Sequence, residues 1–422
     1  MSRKRGLSWR VGLIALALGT GYLVLRDGVA QTASRSPAML AMALEIAPGD
    51  PEIHALEARA QLAQAASLQA AKQQQSLLLG NSEPLQQAAR SARRVLEADL
   101  TQVDALSIMG LAANARGDHQ AANRIMQASA TLSKRDVATR LYLIERAARN
   151  EQLAEMLRQI DITLRFSPSA QAQMFPLLAR ALAEPSLVPD FIRILRPEPS
   201  WTEPFLYTAI TSGHGTRNLA RIYLALGKPF KHDGQDLSEL IMHTLVAQRE
   251  YQAAFAFNDG LTGEDAMGAR LRDPAFVRHE GLEPFTWVLT ATAEFDAVRS
   301  TDPFGKTGLS VLSSGSGADV VAAQLLKLRP GRYRFANSVS SDMASISLEP
   351  QWRLRCADDD RLLGTFDPIE EKQATWTVPA DCNFHWLQLY IDAGSTITGE
   401  TIFVNAVTLE PLGASSQTGQ SR

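Results

Sequence analysis

Val320–Tyr333 reads VVAAQLLKLRPGRY, an apolar run that stops at Pro330-Gly331 and resumes as Arg332-Tyr333-Arg334-Phe335. The Pro-Gly pair supplies turn dihedrals, and the residues after it alternate polar with apolar, so the stretch predicts strand, turn, strand. The pattern recurs on both sides of it. Expected strands are Phe285–Thr290, Thr307–Leu312, Val320–Lys327, Gly331–Ser338, Gln351–Cys356, Gln373–Val378, Trp386–Asp392 and Thr401–Glu410. Short strands at this density, between Gly, Asp, Ser and Pro clusters, predict an antiparallel β-sandwich or jelly roll over residues 268–412. Residues 413–422 read as a disordered tail.

Upstream of Leu261-Thr262-Gly263 the period changes. From Ser36 to about Asn258 the chain is rich in Ala, Leu, Gln and Arg, with apolar residues at helical spacing. Val103–Asp136 reads as one helix–turn–helix unit. Leu106, Met109, Gly110 and Ala113 share a face of its first helix, Gly117-Asp118 makes the turn, and Ala122, Met126 and Ser129 face inward from the second. A shift of 34 residues lays Leu143, Ile144 and Ala147 over Met109, Gly110 and Ala113, and Pro168 ends the next unit. Beyond it, Pro176, Pro185, Pro189, Pro197, Pro199 and Pro204 break the helical pattern into short pieces.

This repeat resembles the tetratricopeptide repeat, in which small residues let paired helices approach. The resemblance implies an irregular helical-repeat solenoid over residues 36–260, with a concave surface for a partner's helix or peptide. Asn114 and Arg140 are the candidate groove residues. A helical spacer that only carries the C-terminal domain is the alternative.

The N-terminus sets the expected location. Arg3, Lys4, Arg5 and Arg10 precede an uncharged run from Val11 to Leu25. As a helix, residues 9–25 span about 25 Å, the lower edge of what crosses a bilayer core. With positive residues staying cytoplasmic, the reading is a single-pass anchor (residues 1–30) in a bacterial inner membrane, the bulk of the chain periplasmic. Cleavage after Gly28-Val29-Ala30 is the alternative. The 422-residue chain carries a formal net charge of −3, with no Lys/Arg run beyond the first ten residues. Nucleic acid is therefore excluded as a partner class, leaving protein, glycan and membrane.

Both cysteines, Cys356 and Cys382, fall in the β region. In an oxidising compartment they are expected to pair, and closing that loop stabilises the domain by roughly 3 kcal/mol. Two buried free thiols are the alternative. No C-x-x-C pair exists, which excludes dithiol redox chemistry.

The β region carries, in order, Asp273-Pro274-Ala275-Phe276, Pro284-Phe285-Thr286-Trp287, Gly308-Leu309-Ser310-Val311, Gln324 to Tyr333, Trp352-Arg353-Leu354-Arg355-Cys356, Val378-Pro379-Ala380-Asp381-Cys382 and Ile402-Phe403-Val404-Asn405. This series resembles the galactose-binding-like jelly roll of family-4-type carbohydrate-binding modules. The resemblance implies stacking of pyranose rings on aromatic faces. Trp287, Trp376 and Tyr390 are the candidate stacking residues, drawn from a set that also holds Trp352 and Trp386. For each tryptophan the competing reading is a place in the sandwich core. The resemblance also implies a structural calcium at Asp273–Phe276; no other cofactor is expected.

Catalytic motifs fail on inspection. Gly305-Lys306-Thr307 has Ser300 where a phosphate-binding loop needs glycine, and an expected strand follows it. His279-Glu280 does not continue as H-E-x-x-H, and Glu294 with Asp302 is a carboxylate pair on paper only. The expected function is a non-catalytic envelope scaffold, accessory to surface or exopolysaccharide assembly or export. Its expected partners are envelope proteins such as polymerase or export components. A stalk-mounted glycan-binding module without a protein partner is the alternative, and a glycan-active enzyme the remaining one.

Overall fold

The computed structural model describes residues 37–71, 79–263, 271–277, 281–301, 305–341, 347–394 and 399–412. The expected anchor over residues 9–25 and the expected tail lie outside the described residues, as do His279, Glu280 and Asp302. Among the described residues no helix is long and apolar enough to cross a membrane. The chain divides into two compact units. One runs to Met174 and includes Pro197–Trp201; the other holds Phe175–Arg196 and everything from Thr202.

The first unit is helical: α1 (Pro37–Ile46), α2 (Pro51–Ala71), α3 (Glu83–Ala98), α4 (Val103–Ala115), α5 (His119–Leu132), α6 (Val137–Arg149) and α7 (Leu153–Phe166). Consecutive helices lie side by side, and small residues set their approach. A Cβ added at Gly110 of α4 would stand 2.9 Å from the Met126 side chain of α5. Asp118 starts α5 and Asp136 starts α6, each accepting a backbone N–H of the first turn, from Ala121 and Thr139. Ala122, Met126 and Ser129 are buried, and the Ser129 hydroxyl bonds that of Thr139 at 2.8 Å.

The second unit begins within α8 (Pro168–Ala181), which contains Pro176, and continues through a 3₁₀ turn (Pro185–Leu187) to α9 (Val188–Leu195). Then come α10 (Thr202–Ser212), α11 (Thr216–Leu226), a two-stranded hairpin of β1 (Lys231–His232) and β2 (Gln235–Asp236), α12 (Leu237–Ala247) and α13 (Tyr251–Thr262). Phe205 packs between Phe175 and Phe191, and Tyr223 meets Phe230 and Phe257 edge-on.

The strands follow: β3 (Val288–Leu289), β4 (Phe295–Thr301), β5 (Thr307–Ser313), β6 (Ala318–Leu326), β7 (Gly331–Ala336), β8 (Val339–Ser341), β9 (Glu349–Cys356), β10 (Leu362–Phe366), β11 (Ala374–Val378), β12 (His385–Asp392), β13 (Glu400–Val404) and β14 (Thr408–Leu412). They form antiparallel sheets in the orders β10-β9-β12-β6-β3, β11-β7-β14 and β4-β5-β13-β8. One apolar cluster fills the sandwich, joining Trp352, Leu354, Leu387 and Leu389 of the five-stranded sheet to Phe335, Trp376, Val311 and Ile402 of the others. The turn at Pro330-Gly331 joins β6 to β7, which lie in different sheets, so the decisive stretch is a crossing between layers rather than a hairpin.

Two expectations change. The single strand expected over Thr401–Glu410 is two strands in two sheets, broken where Asn405 and Val407 donate backbone N–H groups to Ser338 and Pro274 carbonyls. The switch from helix to strand after Thr262 is not the division between compact units: α10–α13 belong to the same unit as the sandwich.

Candidate functional site

Strand β12 lies in the middle of the five-stranded sheet, between β9 and β6. Strand alternation sends Leu387, Leu389 and Ile391 into the core and leaves Trp386, Gln388 and Tyr390 half-buried on the outer face. Cross-strand neighbours share that face: Arg355 and Leu325 flank Trp386, and Arg353 and Ala323 flank Gln388.

A pocket of about 780 Å³ opens beside Trp386. Its sheet-side wall is Gly281–Pro284 with Val288; the opposite wall is α12. Helical periodicity explains that wall. Leu237, Ile241, Met242 and Leu245 face the interior, which turns Glu239, Leu240, His243 and Val246 toward the opening. The Asp236 carboxylate caps the start of α12 through the Ser238 N–H at 2.8 Å.

The opposite loop is pinned at three points. Trp287 enters the sandwich core, the Phe285 ring meets Phe255 of α13 edge-on at 4.6 Å, and the Pro284 carbonyl accepts the Leu325 N–H at 2.9 Å. Gly281 is required there: its φ is +123°, and a Cβ would stand 2.4 Å from the Thr286 methyl. Glu283 is left facing the pocket. Partial burial raises its carboxyl pKa, nearby Arg299 opposes that, and the Glu239 carboxylate adds to the rise.

The helical wall is held by α13. Tyr251 and Phe255 pack on Phe384, with ring centroids 5.6 and 5.4 Å away. The Tyr251 hydroxyl donates to the Ala357 carbonyl, and Arg249 Nη1 to that of Asp358. Cys356 and Cys382 form a disulfide across the base of these loops, with Cα atoms 5.9 Å apart.

The predicted stacking residues fare differently. Trp287 is fully buried, its indole N–H donating to the Asp273 carbonyl at 2.9 Å. Trp376 is buried, stacked on Phe335 at 4.2 Å and bonded to the Thr365 carbonyl. Both therefore have no free face for a sugar, a correction that follows from the sandwich's need for large aromatics in its core. Trp352 is likewise interior. Tyr390 stays on the outer face, but the Arg353 guanidinium covers its ring at 3.4 Å. Trp386 remains as the aromatic of that set lining the pocket. The sequence signal for it was its phase with Gln388, a polar residue that marks the outer face. Nothing in the sequence marked Glu239, His243 or Glu283.

In the helical unit, Arg140 is a correction too. Its buried guanidinium donates to the Ala130, Ser133 and Lys134 carbonyls and to Gln159 Oε1, closing the end of α5 instead of facing a groove. Asn114 does line a cavity, of about 230 Å³, with His119, Tyr142, Arg146, Arg149 and Asn150.

The residues do not fit the implied calcium site. Asp273 Oδ1 accepts the Val277 N–H, the Asp273 carbonyl takes the Trp287 and Phe276 N–H groups, and Arg299 Nε stands 3.7 Å from Oδ2. A guanidinium beside the carboxylate repels a divalent cation. Thr307 opens strand β5, not a helix, which removes the phosphate-loop context.

No family model and no curated protein matches the sequence. Among solved structures the chain is similar to TmCBM61 in complex with β-1,4-galactotriose, at 12% identity over 34% of this chain and 99% of that one, with a TM-score of 0.26. It is also similar to a structure of accessory secretory protein 1, 2 and 3 in Streptococcus pneumoniae, at 10% identity, 30% and 92% coverage and a TM-score of 0.22. A third similarity is to carbohydrate-binding modules of the β-sandwich superfamily described as promiscuous in specificity. There the identity is 20%, the coverage 30% of this chain and 57% of that one, and the TM-score 0.21. At these TM-scores the likenesses carry no argument about what this chain binds.

Proposed function

We propose that the protein holds a glycan in the pocket beside Trp386, as a non-catalytic adaptor tethered to a bacterial inner membrane by residues 9–25. In this reading the helical unit takes a protein partner, and the pair serves assembly or export of a surface polysaccharide from the periplasmic side. The observation that supports the reading is the half-buried Trp386 indole in a pocket of about 780 Å³. That volume falls in the ordinary range for small-ligand pockets, about 300–1,000 Å³. An indole face offers axial C–H groups of a pyranose the negative side of its quadrupole, while Gln235 and His243 supply hydrogen-bonding groups at the rim.

The test is calorimetric titration of the full chain with a panel of oligosaccharides, repeated with Trp386→Ala. Saccharide heat that disappears in the variant supports the reading; a panel with no binder removes it. Mass analysis of the recovered sugar checks the non-catalytic part, because shortened products would make the protein an enzyme.

The protein contact proposed for the helical unit is placed beside Asn114, which lines the cavity of about 230 Å³. A photocrosslinker at Asn114 in the native cell should capture a polysaccharide polymerase or export component. Capture of none leaves the helical unit as a spacer.

A further inference from the structure

The pocket beside Trp386 has an electrostatic character that stacking alone does not require. Among the described residues its lining includes two carboxylates, Glu239 on α12 and Glu283 on the facing loop, and no lysine or arginine. Among the described residues neither carboxylate has a hydrogen-bond or ion-pair partner, so both acceptor sets are open. Partial burial raises the Glu283 pKa, Arg299 opposes the rise, and the Glu239 charge adds to it, so the two carboxylates on the pocket wall lie within electrostatic reach. Three described cations near this face have contacts of their own, although Arg299 also acts on Glu283. Arg299 stands on buried Asp273, Arg355 donates to the Asp360 carbonyl, and Arg353 lies on the Tyr390 ring.

We infer that the pocket selects an amine-bearing sugar unit, a hexosamine whose nitrogen is not acylated, with its ring on Trp386 and its ammonium between Glu239 and Glu283. This rests on the glycan reading above and sharpens it. A neutral hexose would satisfy the indole and leave two like charges facing each other. An anionic sugar would add a third. An ammonium relieves their repulsion and donates to both carboxylates in charge-assisted hydrogen bonds. The same cation gains from the electron-rich indole face when it sits over the ring. A lysine side chain of a partner protein carries the same charge but lacks the flat array of C–H groups that a sugar ring presents to an indole, so the sugar is the better match to both walls.

The experiment uses the full chain in detergent micelles and matched tetrasaccharides that differ only at C2: glucose, N-acetylglucosamine and glucosamine, each β-1,4 and β-1,6 linked. The glucosamine forms should bind about tenfold more tightly than their N-acetylated and neutral counterparts, and the preference should shrink as salt rises, as ionic attraction requires. Glu283→Gln and Glu239→Gln should each erode the preference for the glucosamine forms and its salt dependence. Equal binding of all three sugars overturns the amine selection and keeps the glycan reading. Binding of a lysine-rich peptide with no sugar bound overturns both, as does a chain that binds neither.

Discussion

Tyr251, at the start of α13, donates its hydroxyl to the carbonyl of Ala357 at 3.2 Å, and Ala357 directly follows disulfide-bonded Cys356. On the other side of the bridge, Phe384 lies two residues past Cys382 and receives Tyr251 and Phe255. The disulfide thus ties together the two loops on which the helical wall of the pocket rests. Replacing both cysteines by serine is expected to cost roughly 3 kcal/mol of stability, from the loop the bridge closes. It should also raise amide exchange in α13 before the sandwich strands exchange. Denaturant unfolding with hydrogen exchange reads both, and unchanged exchange over residues 251–262 would refute the tie.

Trp376 and Trp386 make opposing predictions from the same residue type. Trp376 is buried on Phe335 with its N–H satisfied, so Trp376→Ala should cost about 3–5 kcal/mol. Trp386 is half-buried at the pocket wall, and Trp386→Ala should cost about 1 kcal/mol or less while removing ligand binding. Thermal melts with a titration of each variant separate the two. A large stability loss at Trp386 would mean that it is a core residue after all.

How far these roles could be read in the sequence depended on local alternation. Thr375 and Thr377 bracket Trp376 with polar residues, an alternation that points the indole inward and that its choice as a stacking candidate did not follow. Trp386 shares its phase with polar Gln388 but also with aromatic Tyr390, so strand period left its face open between core and surface. The helical and strand regions were likewise visible, because periods of 3.6 and 2 differ over short windows. The pocket was not. Glu239 sits on a helix and Glu283 in a loop beyond it in sequence, and no local pattern joins groups that meet only when α12 closes over the loop. Arg140 was misread for a related reason: its spacing fits an outward groove position, while the orphan carbonyls at the end of α5 that hold it inward come from a different helix. The break within Thr401–Glu410 contains no glycine or proline, so nothing local announced that the chain changes sheets there.

Arg140 should behave as a structural residue. Its guanidinium satisfies the Ala130, Ser133 and Lys134 carbonyls and Gln159, which Arg140→Met leaves without that donor. A loss of about 2–4 kcal/mol is expected, since hydrogen bonds from a charged donor are the costly ones to break. Arg140→Lys should recover only part of it, because an ammonium cannot span the same fork of acceptors. Chemical denaturation of the three proteins tests this, and a neutral Arg140→Met would return the residue to the surface.

His385 gives the fold a defined acid response. Its side chain is buried on β12, its Nδ1 faces the Leu328 N–H at 3.4 Å, and its Nε2 has no hydrogen-bond partner among the described residues. Burial pushes its pKa down from 6.5 to about 4, with a backbone hydrogen bond at Leu326 opposing. The unfolded chain therefore takes up a proton at this histidine near pH 6.5, where the folded chain refuses it. Stability from this site is complete above that pH, is lost as pH falls toward 4, and changes no further below. At about 1.4 kcal/mol per pH unit, the full window amounts to about 3 kcal/mol. His385→Leu removes the titrating group, so the difference in unfolding free energy between pH 7 and pH 4.5 should be smaller in the variant by about 2–3 kcal/mol. Parallel pH profiles for the two proteins would show that the imidazole is protonated in the fold and finds an acceptor there.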